Sequence, residues 1–426
     1  MATVPAESGP AVTVLDRFGL KEKLVRHSNA VIALSVPAVL LSLAVMVLLR
    51  RAGVDERAGI DYQVYRWAVH TWLSGGDIMH GAPMTSAGRL LPWVYPPFAL
   101  LPLAPLALLP HVAGLFALYA VDLAAIGAAL YLVARHAWPH LGRRAALAVA
   151  SALVPWTLFL EPVYASFGLG QINIALMGLA AVDCLARAPR WPRGLLIGIA
   201  AAIKLTPAAF LLFFLVRKDF RAAVTGVVTA AGCTVLGFLL SFPASLDYWF
   251  GAGPANGVSG SAFHTNQSIA GALARSELPP SLRTAVWVVL CVVVVLLAAY
   301  AMARVDPPLA VVANALVALL VSPTSWSDHW VWCVPAILVM LACAVRERSA
   351  GWLAAGVVTA LVVLTASFRW MPSGGPWTPV QHLVGNPYLL LGLVLLVSLV
   401  RCARRSRAQD AGVSEPAAAS IMAGAR

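Results

Sequence analysis

Charge is what this sequence has least of. Asp, Glu, Lys and Arg together make up 11% of its 426 residues, where an average soluble domain carries about 25%. With so little charge and a mean hydropathy of +0.82, a water-soluble globular domain is excluded. Acidic residues are the scarcer sign, 18 against 30 Lys and Arg, which leaves a net charge of +12. A cationic surplus can mark a nucleic-acid binder. Here the cations stand in short clusters between apolar runs and not along one helix face, so no nucleic-acid partner is expected. Cysteine is sparse as well. Cys184, Cys233, Cys291, Cys333, Cys343 and Cys402 lie within or beside apolar runs with no paired short spacing, which leaves neither a zinc pattern nor a disulfide framework. There is no GxxxxGK[ST] and no GxGxxG after a strand, so ATP-driven transport and soluble nucleotide-sugar chemistry lose support. No close run of His, Cys and carboxylate has metal-ligand spacing, and no cofactor or metal is expected.

What the chain has in abundance is apolar sequence, 60% of its residues. Runs of about 17 to 25 apolar residues, each long enough for a hydrocarbon core of roughly 30 Å, recur across most of its length. Repeated apolar crossings of this kind predict an all-α polytopic membrane protein. One domain is expected, a transmembrane unit over 30–401, flanked by polar tails at 1–29 and 402–426 that are too short to bury cores of their own. The first apolar run, Val31 to Leu49, is too long for a cleavable signal and is expected to remain as an anchor. Lys21, Lys23 and Arg26 precede it, and Arg401, Arg404, Arg405 and Arg407 follow the last run, which predicts both termini in the cytoplasm. Basic loops at 135–144, 187–193, 217–221 and 346–348 join them there. Arg50 and Arg51 oppose this scheme. The loops left outside are 50–96, 161–170, 242–283, 323–330 and 369–384. Pro97–Leu109 and Leu195–Val216 do not fit simple alternation and read as re-entrant elements lining a polar cavity. The count is ten full spans plus these two, or twelve if they cross.

The outer loops carry the residues that do not belong in lipid. Asp61 lies just before a helical-looking stretch that begins at Tyr65, where it suits either a helix cap or a catalytic carboxylate. Trp93-Val-Tyr95-Pro96-Pro97-Phe98 suits a membrane interface or the wall of a cavity. Gln171 and Asn173 run into an apolar segment, where their amides would bond neighbouring helices or sugar hydroxyls. Lys204-Leu-Thr206-Pro207 is sharper. An ammonium in an apolar segment costs about 3 kcal/mol at the bilayer centre, so it must snorkel to the surface or find an anion, and a phosphate would serve. Ser322-Pro-Thr-Ser-Trp326-Ser-Asp328-His329-Trp330-Val-Trp332 sets a histidine beside a carboxylate and tryptophans whose faces suit sugar rings. Asn266-Gln267-Ser268 lies in a long outer loop and also fits a glycosylation sequon, a weak signal.

These clusters, in this order, resemble glycosyltransferase family 87, the polyprenyl-phosphate-mannose-dependent α-(1→2)-mannosyltransferases of phosphatidylinositol mannoside and lipoarabinomannan synthesis. The elements that carry the likeness are Asp61-Tyr-Gln-Val-Tyr65, Tyr95-Pro-Pro-Phe98, Gly170-Gln171-Ile-Asn173, Lys204-Leu-Thr206-Pro207, Asn266-Gln267-Ser268, and Ser322-Pro-Thr-Ser-Trp326 with His329-Trp-Val-Trp332. Each is weak alone, and six in order are specific. The resemblance implies a GT-C-type membrane fold, a polyprenyl-phosphate-mannose donor and a glycolipid acceptor. It also implies Asp61 as catalytic base and a catalytic or phosphate-binding role for His329. Lys204 is expected to bind the donor phosphate, with Tyr65, Tyr95, Gln171, Asn173, Asn266, Gln267 and Trp326 around sugar or acceptor. The chain departs from the family in one place: Asp328 stands where a first of two adjacent histidines is common. The competing class is a transporter or lipid-linked sugar flippase, since polar groups and broken helices also mark substrate paths. No internal inverted repeat supports it.

Overall fold

The computed structural model describes residues 20–49, 59–251 and 259–423. The expected tail up to residue 19, and Arg50 and Arg51, lie outside the described residues. Helices account for the ordered structure, and only two isolated β-bridges occur among the described residues, Met84 with Leu90 and Asn266 with Trp326. The expected all-α class holds.

In chain order the helices are α1 (Leu20–Leu49), α2 (Ile60–Leu73), α3 (Leu100–Ala107), α4 (His111–Ala137), α5 (Gly142–Thr157), α6 (Glu161–Leu169), α7 (Asn173–Leu185), α8 (Leu195–Ile203) and α9 (Leu211–Val216). There follow α10 (Phe220–Leu240), α11 (Phe242–Phe250), α12 (Ile269–Ala274), α13 (Pro280–Met302), α14 (Pro307–Val321), α15 (Cys333–Glu347), α16 (Ala350–Thr365), α17 (Pro379–Gly385) and α18 (Pro387–Ala423). Short 3-10 segments lead into α3 from Pro97, into α9 from Thr206 and into α15 from Ser327, and another, Ser367–Trp370, follows α16.

Seven apolar helices among the described residues are long enough to cross a bilayer, and the pair Pro139–Thr157 with Glu161–Leu169, bent by 74°, makes an eighth if it counts as one span. Four shorter apolar helices complete the set: Pro97–Ala107, Asn173–Leu185, Thr206–Val216 and Pro307–Val321. The upper expectation of twelve is reached only when these are counted. Burial separates the layers. The span in α1 is 11% buried and the one ending α15 is 72% buried, so the first lies at the periphery, packed on α5 along a stripe through Ser35, Ser42 and Met46, while the second belongs to the interior. Almost every residue of α14 is buried, which makes it the central helix. The main core gathers around α4, α7, α14 and α15. A second, smaller core forms around α2, Trp93, Tyr95, α3 and α8.

The charge pattern sorts the two ends of the bundle. Arg187 bonds the carbonyl of Arg135, Arg217 bonds those of Met302 and Val305, and Arg346 pairs with Asp306, so the basic loops meet at one end. Asp61, Gln171, Asn173, Lys204 and His329 meet towards the other.

The segment 195–216 leaves the basic end, turns at Lys204 and returns, as its two basic flanks suggest. Pro207 explains where it turns. A helical proline would clash with the carbonyl of Ile203, four residues earlier, and α8 ends at Ile203. Lys204 then takes an extended conformation, φ −149° and ψ 132°.

Candidate functional site

Asp61 is not a helix cap. The N-cap of α2 is Gly59, in the left-handed region at φ 64°, and Asp61 falls inside the first turn. Asp61 is therefore held from outside its own helix. Its Oδ2 accepts from Nε2 of Gln171 at 2.7 Å. Gln171 is in turn fixed by three donors on its oxygen: Tyr65 O–H at 2.6 Å, Tyr95 O–H at 2.8 Å and the backbone N–H of Ile172 at 3.1 Å. Because a backbone N–H only donates, the atom facing Ile172 is the amide oxygen, and the NH2 group must face Asp61. Burial pushes both phenols above their ordinary pKa, so they remain neutral hydroxyls. Tyr65, Tyr95 and Gln171, expected among the sugar contacts, thus form a clamp that aims the carboxylate.

Gly170 makes this approach possible. It adopts φ 67°, and a Cβ there would lie 2.7 Å from Cβ of Tyr62, next to Asp61. The N–H of Gly59 donates to the carbonyl of Gly168 at 2.8 Å, tying the start of α2 to the end of α6.

The cation stands over the ring of Tyr95. Lys204 Nζ lies 5.3 Å from the centroid of the Tyr95 ring and donates to Asn173 Oδ1 at 2.7 Å. It is 3.2 Å from His329 Nε2. A protonated Lys204 has only donors, so Nε2 accepts and Nδ1 carries the ring proton. Asn173 Nδ2 donates to Asp328 Oδ2 at 2.7 Å, and that oxygen is 4.0 Å from His329 Nε2. Asn173 is thus the bridge between Lys204 and Asp328. A cavity of about 40 Å³ opens beside this group, walled by apolar side chains that include Leu176, Phe210, Leu319 and Trp332. The polar group stands at the N-terminal end of α7, a helix of 13 residues, about 20 Å long at 1.5 Å per residue.

The structure does not bring every expected residue here. Asn266 and Gln267 are fully buried and their amides are committed to backbone. Asn266 accepts from the Ser325 N–H at 2.9 Å and donates to the carbonyls of Ser261 and Pro323. Gln267 donates to the carbonyls of His264 and Gly385. Asn266 braces the segment that leads to Asp328, whereas Gln267 ties its own loop to Gly385 and Tyr388, and a buried Asn266 is no glycosylation acceptor. Trp326 is half-buried, edge-on to Phe263 at 6.3 Å. Asn266→Ala should leave the Ser325 N–H unsatisfied and cost about 2 kcal/mol, seen as a lower melting temperature in detergent with little change in substrate KM.

Glu161 opens the outer segment 161–170, and neither it nor Ser166, Arg369 or Tyr388 stood among the expected site residues. Glu161 accepts from Ser327, Arg369 and Tyr388. Their signal was scarcity: a carboxylate and a guanidinium at membrane depth in a chain that uses charge sparingly.

Comparison with known proteins supplies the class. The glycosyltransferase family 87 model matches residues 93–323, more than half of the chain. The protein belongs to glycosyltransferase family 87. Its relatives include two proteins named polyprenol-phosphate-mannose-dependent alpha-(1-2)-phosphatidylinositol mannoside mannosyltransferase. The one from Mycobacterium tuberculosis is 39% identical over 74% of this chain and 76% of its own length, and the one from Mycolicibacterium smegmatis is 35% identical over 84% and 87%. A Mycobacterium tuberculosis phosphatidylinositol pentamannoside mannosyltransferase is 33% identical over 72% of this chain and 71% of its own. No solved structure matches. The family carries the GT-C-type fold, so this chain is a multi-pass membrane glycosyltransferase, and the transporter reading falls. Tyr95, Gln171, Asn173 and Lys204 lie within the matched stretch, whereas Asp61 and His329 lie beyond its ends.

Proposed function

We propose that this enzyme moves mannose from polyprenyl-phosphate-mannose to a mannosylated phosphatidylinositol lipid, forming an α-1,2 bond. The relatives' names support donor, acceptor and linkage. The observation that carries the mechanism is the unbroken chain of contacts from Asp61 through Gln171 and Tyr95 to Lys204, His329 and Asp328. It sets a carboxylate and a cation about one tyrosine, the first through Gln171 and the second over the ring.

A β-linked donor giving an α product needs a single displacement. Asp61 takes the proton of the acceptor hydroxyl as its oxygen attacks the anomeric carbon. The bond from that carbon to the phosphate oxygen breaks, and the polyprenyl phosphate leaves as an anion that needs no proton. One carboxylate therefore suffices, where an inverting glycosidase needs two. Lys204 and the Nδ1–H of His329 stabilise the charge gathering on the phosphate, in a site with little water to screen it. Asn173 holds the ammonium, and Tyr65, Tyr95 and Gln171 hold the base. Trp326 is assigned to the acceptor side.

The catalytic unit is the transmembrane domain at 30–401. The basic end of the bundle is assigned to the cytoplasm by the positive-inside rule, with both termini there, which puts the site on the extracytoplasmic side of the plasma membrane. Membranes carrying the protein, given radiolabelled polyprenyl-phosphate-mannose and a panel of phosphatidylinositol mannosides, should label one acceptor. Label on none of them would refute this donor and acceptor.

A further inference from the structure

We infer that Glu161 is a positioning residue for the donor-phosphate site, acting through Ser327 to hold the turn that presents Asp328 and His329. The inference rests on the reading of Lys204 and His329 as phosphate contacts.

The turn needs outside support. Residues 327–332 form a 3-10 segment that breaks at Trp330, whose φ −77° and ψ 17° are not helical. Hydrogen bonds in such a turn are poorly aligned and few, so its own backbone does little to fix His329. The support comes from α6, which grips the segment twice. Ser327 Oγ donates to Glu161 Oε1 at 3.0 Å, and Ser166 Oγ donates to the carbonyl of Asp328 at 3.1 Å.

Glu161 is itself anchored to distant parts of the chain. Arg369, after α16, donates to the same Oε1 at 2.9 Å, and Tyr388, on α18, donates to Oε2 at 2.9 Å. Glu161 and Tyr388 are buried. A buried carboxylate is a poor source of stability even when paired, because desolvation offsets most of the attraction. Its geometry, in contrast, is tightly defined: each oxygen has assigned donors, and one of them is the residue just before Asp328. The far end of the same short helix holds α2 through Gly168, and with it Asp61. α6 thus sets the position of the phosphate grip relative to the base, and Glu161 fixes α6 to the grip.

Glu161→Ala would remove the bonds to Arg369 and Tyr388 as well and risks unfolding, so Ser327→Ala is the cleaner variant: it cuts the link while Glu161 keeps Arg369 and Tyr388. The expected result is a rise in donor KM of about tenfold, as for loss of a hydrogen bond to a buried charge, with acceptor KM unchanged and a folded protein whose melting temperature falls only modestly. Ser327→Thr, which keeps the hydroxyl, should restore donor KM. In a His329→Ala background, Ser327→Ala should add nothing to donor KM. Hydrogen exchange in the Ser327→Ala protein should quicken at residues 326–332 and stay unchanged across α6. Unchanged exchange there, or an unchanged donor KM, would overturn the inference, as would an equal rise in both KM values. If the wild type uses no polyprenyl-phosphate-mannose, the functional reading fails, and the exchange measurement alone decides whether Glu161 orders the turn.

Discussion

Asp61→Asn is expected to lower kcat by about 10² to 10⁴-fold, the range for removing a positioned general base. The substitution is nearly isosteric, and the new side-chain oxygen still accepts from Gln171, so the clamp of Tyr65, Tyr95 and Gln171 survives. What is lost is the basicity, together with the negative charge that reaches Lys204. The acceptor oxygen must then attack while still carrying its proton, and the lost interaction belongs to the transition state. That predicts a fall in kcat with donor and acceptor KM nearly unchanged, because the phosphate contacts are Lys204 and His329, which the chain of contacts joins to Asp61 through Gln171 and Tyr95. Initial rates with each substrate varied in turn check this, alongside a melting curve. Wild-type turnover in a folded Asp61→Asn protein would remove Asp61 as the base.

Much of this site was legible as residues, and little of it as pairings. The scarcity of charge made Asp61, Lys204 and His329 conspicuous, since each is expensive where it stands. Leu195–Val216 read as a re-entrant element, and the structure adds that it turns at Lys204, where Pro207 ends α8. What each polar side chain touches did not follow. In a chain that is apolar on nearly every helix face, hydrophobic periodicity no longer says which face meets which neighbour. Gln171 read as a bond to a neighbouring helix or as a sugar contact, and its actual partners, Tyr65 and Tyr95, come from a distant helix and loop that nothing local names. Asn266 and Gln267 misled for the opposite reason. Amides in a long outer loop look available, yet such a loop must satisfy its own backbone when it packs down, and these side chains do that work. Asp61 looked like a cap because the left-handed Gly59 that opens the helix leaves only a weak trace in sequence.

Lys204→Met is expected to lower kcat/KM for the donor by about 10² to 10³-fold, the cost of losing one prearranged electrostatic contact to a developing anion. Methionine fills the space and suits the apolar wall of the neighbouring cavity, so the fold should persist. It leaves Asn173 Oδ1 without its donor and Asp328 without the nearby positive charge. The donor phosphate would then meet a carboxylate with no cation in between, which opposes binding as well as catalysis. Donor KM should rise and kcat fall, in contrast to the kcat effect of Asp61→Asn. Lys204→Arg should not rescue, because a planar guanidinium cannot take the place of a compact ammonium held between Asn173 and His329. His329→Ala acts on the same phosphate, and its side chain touches Lys204. Residues in contact do not contribute independently, so the double variant should lose little beyond the worse single variant. If the two losses instead multiply, Lys204 and His329 serve different atoms of the reaction, and His329 belongs with the acceptor or the sugar ring.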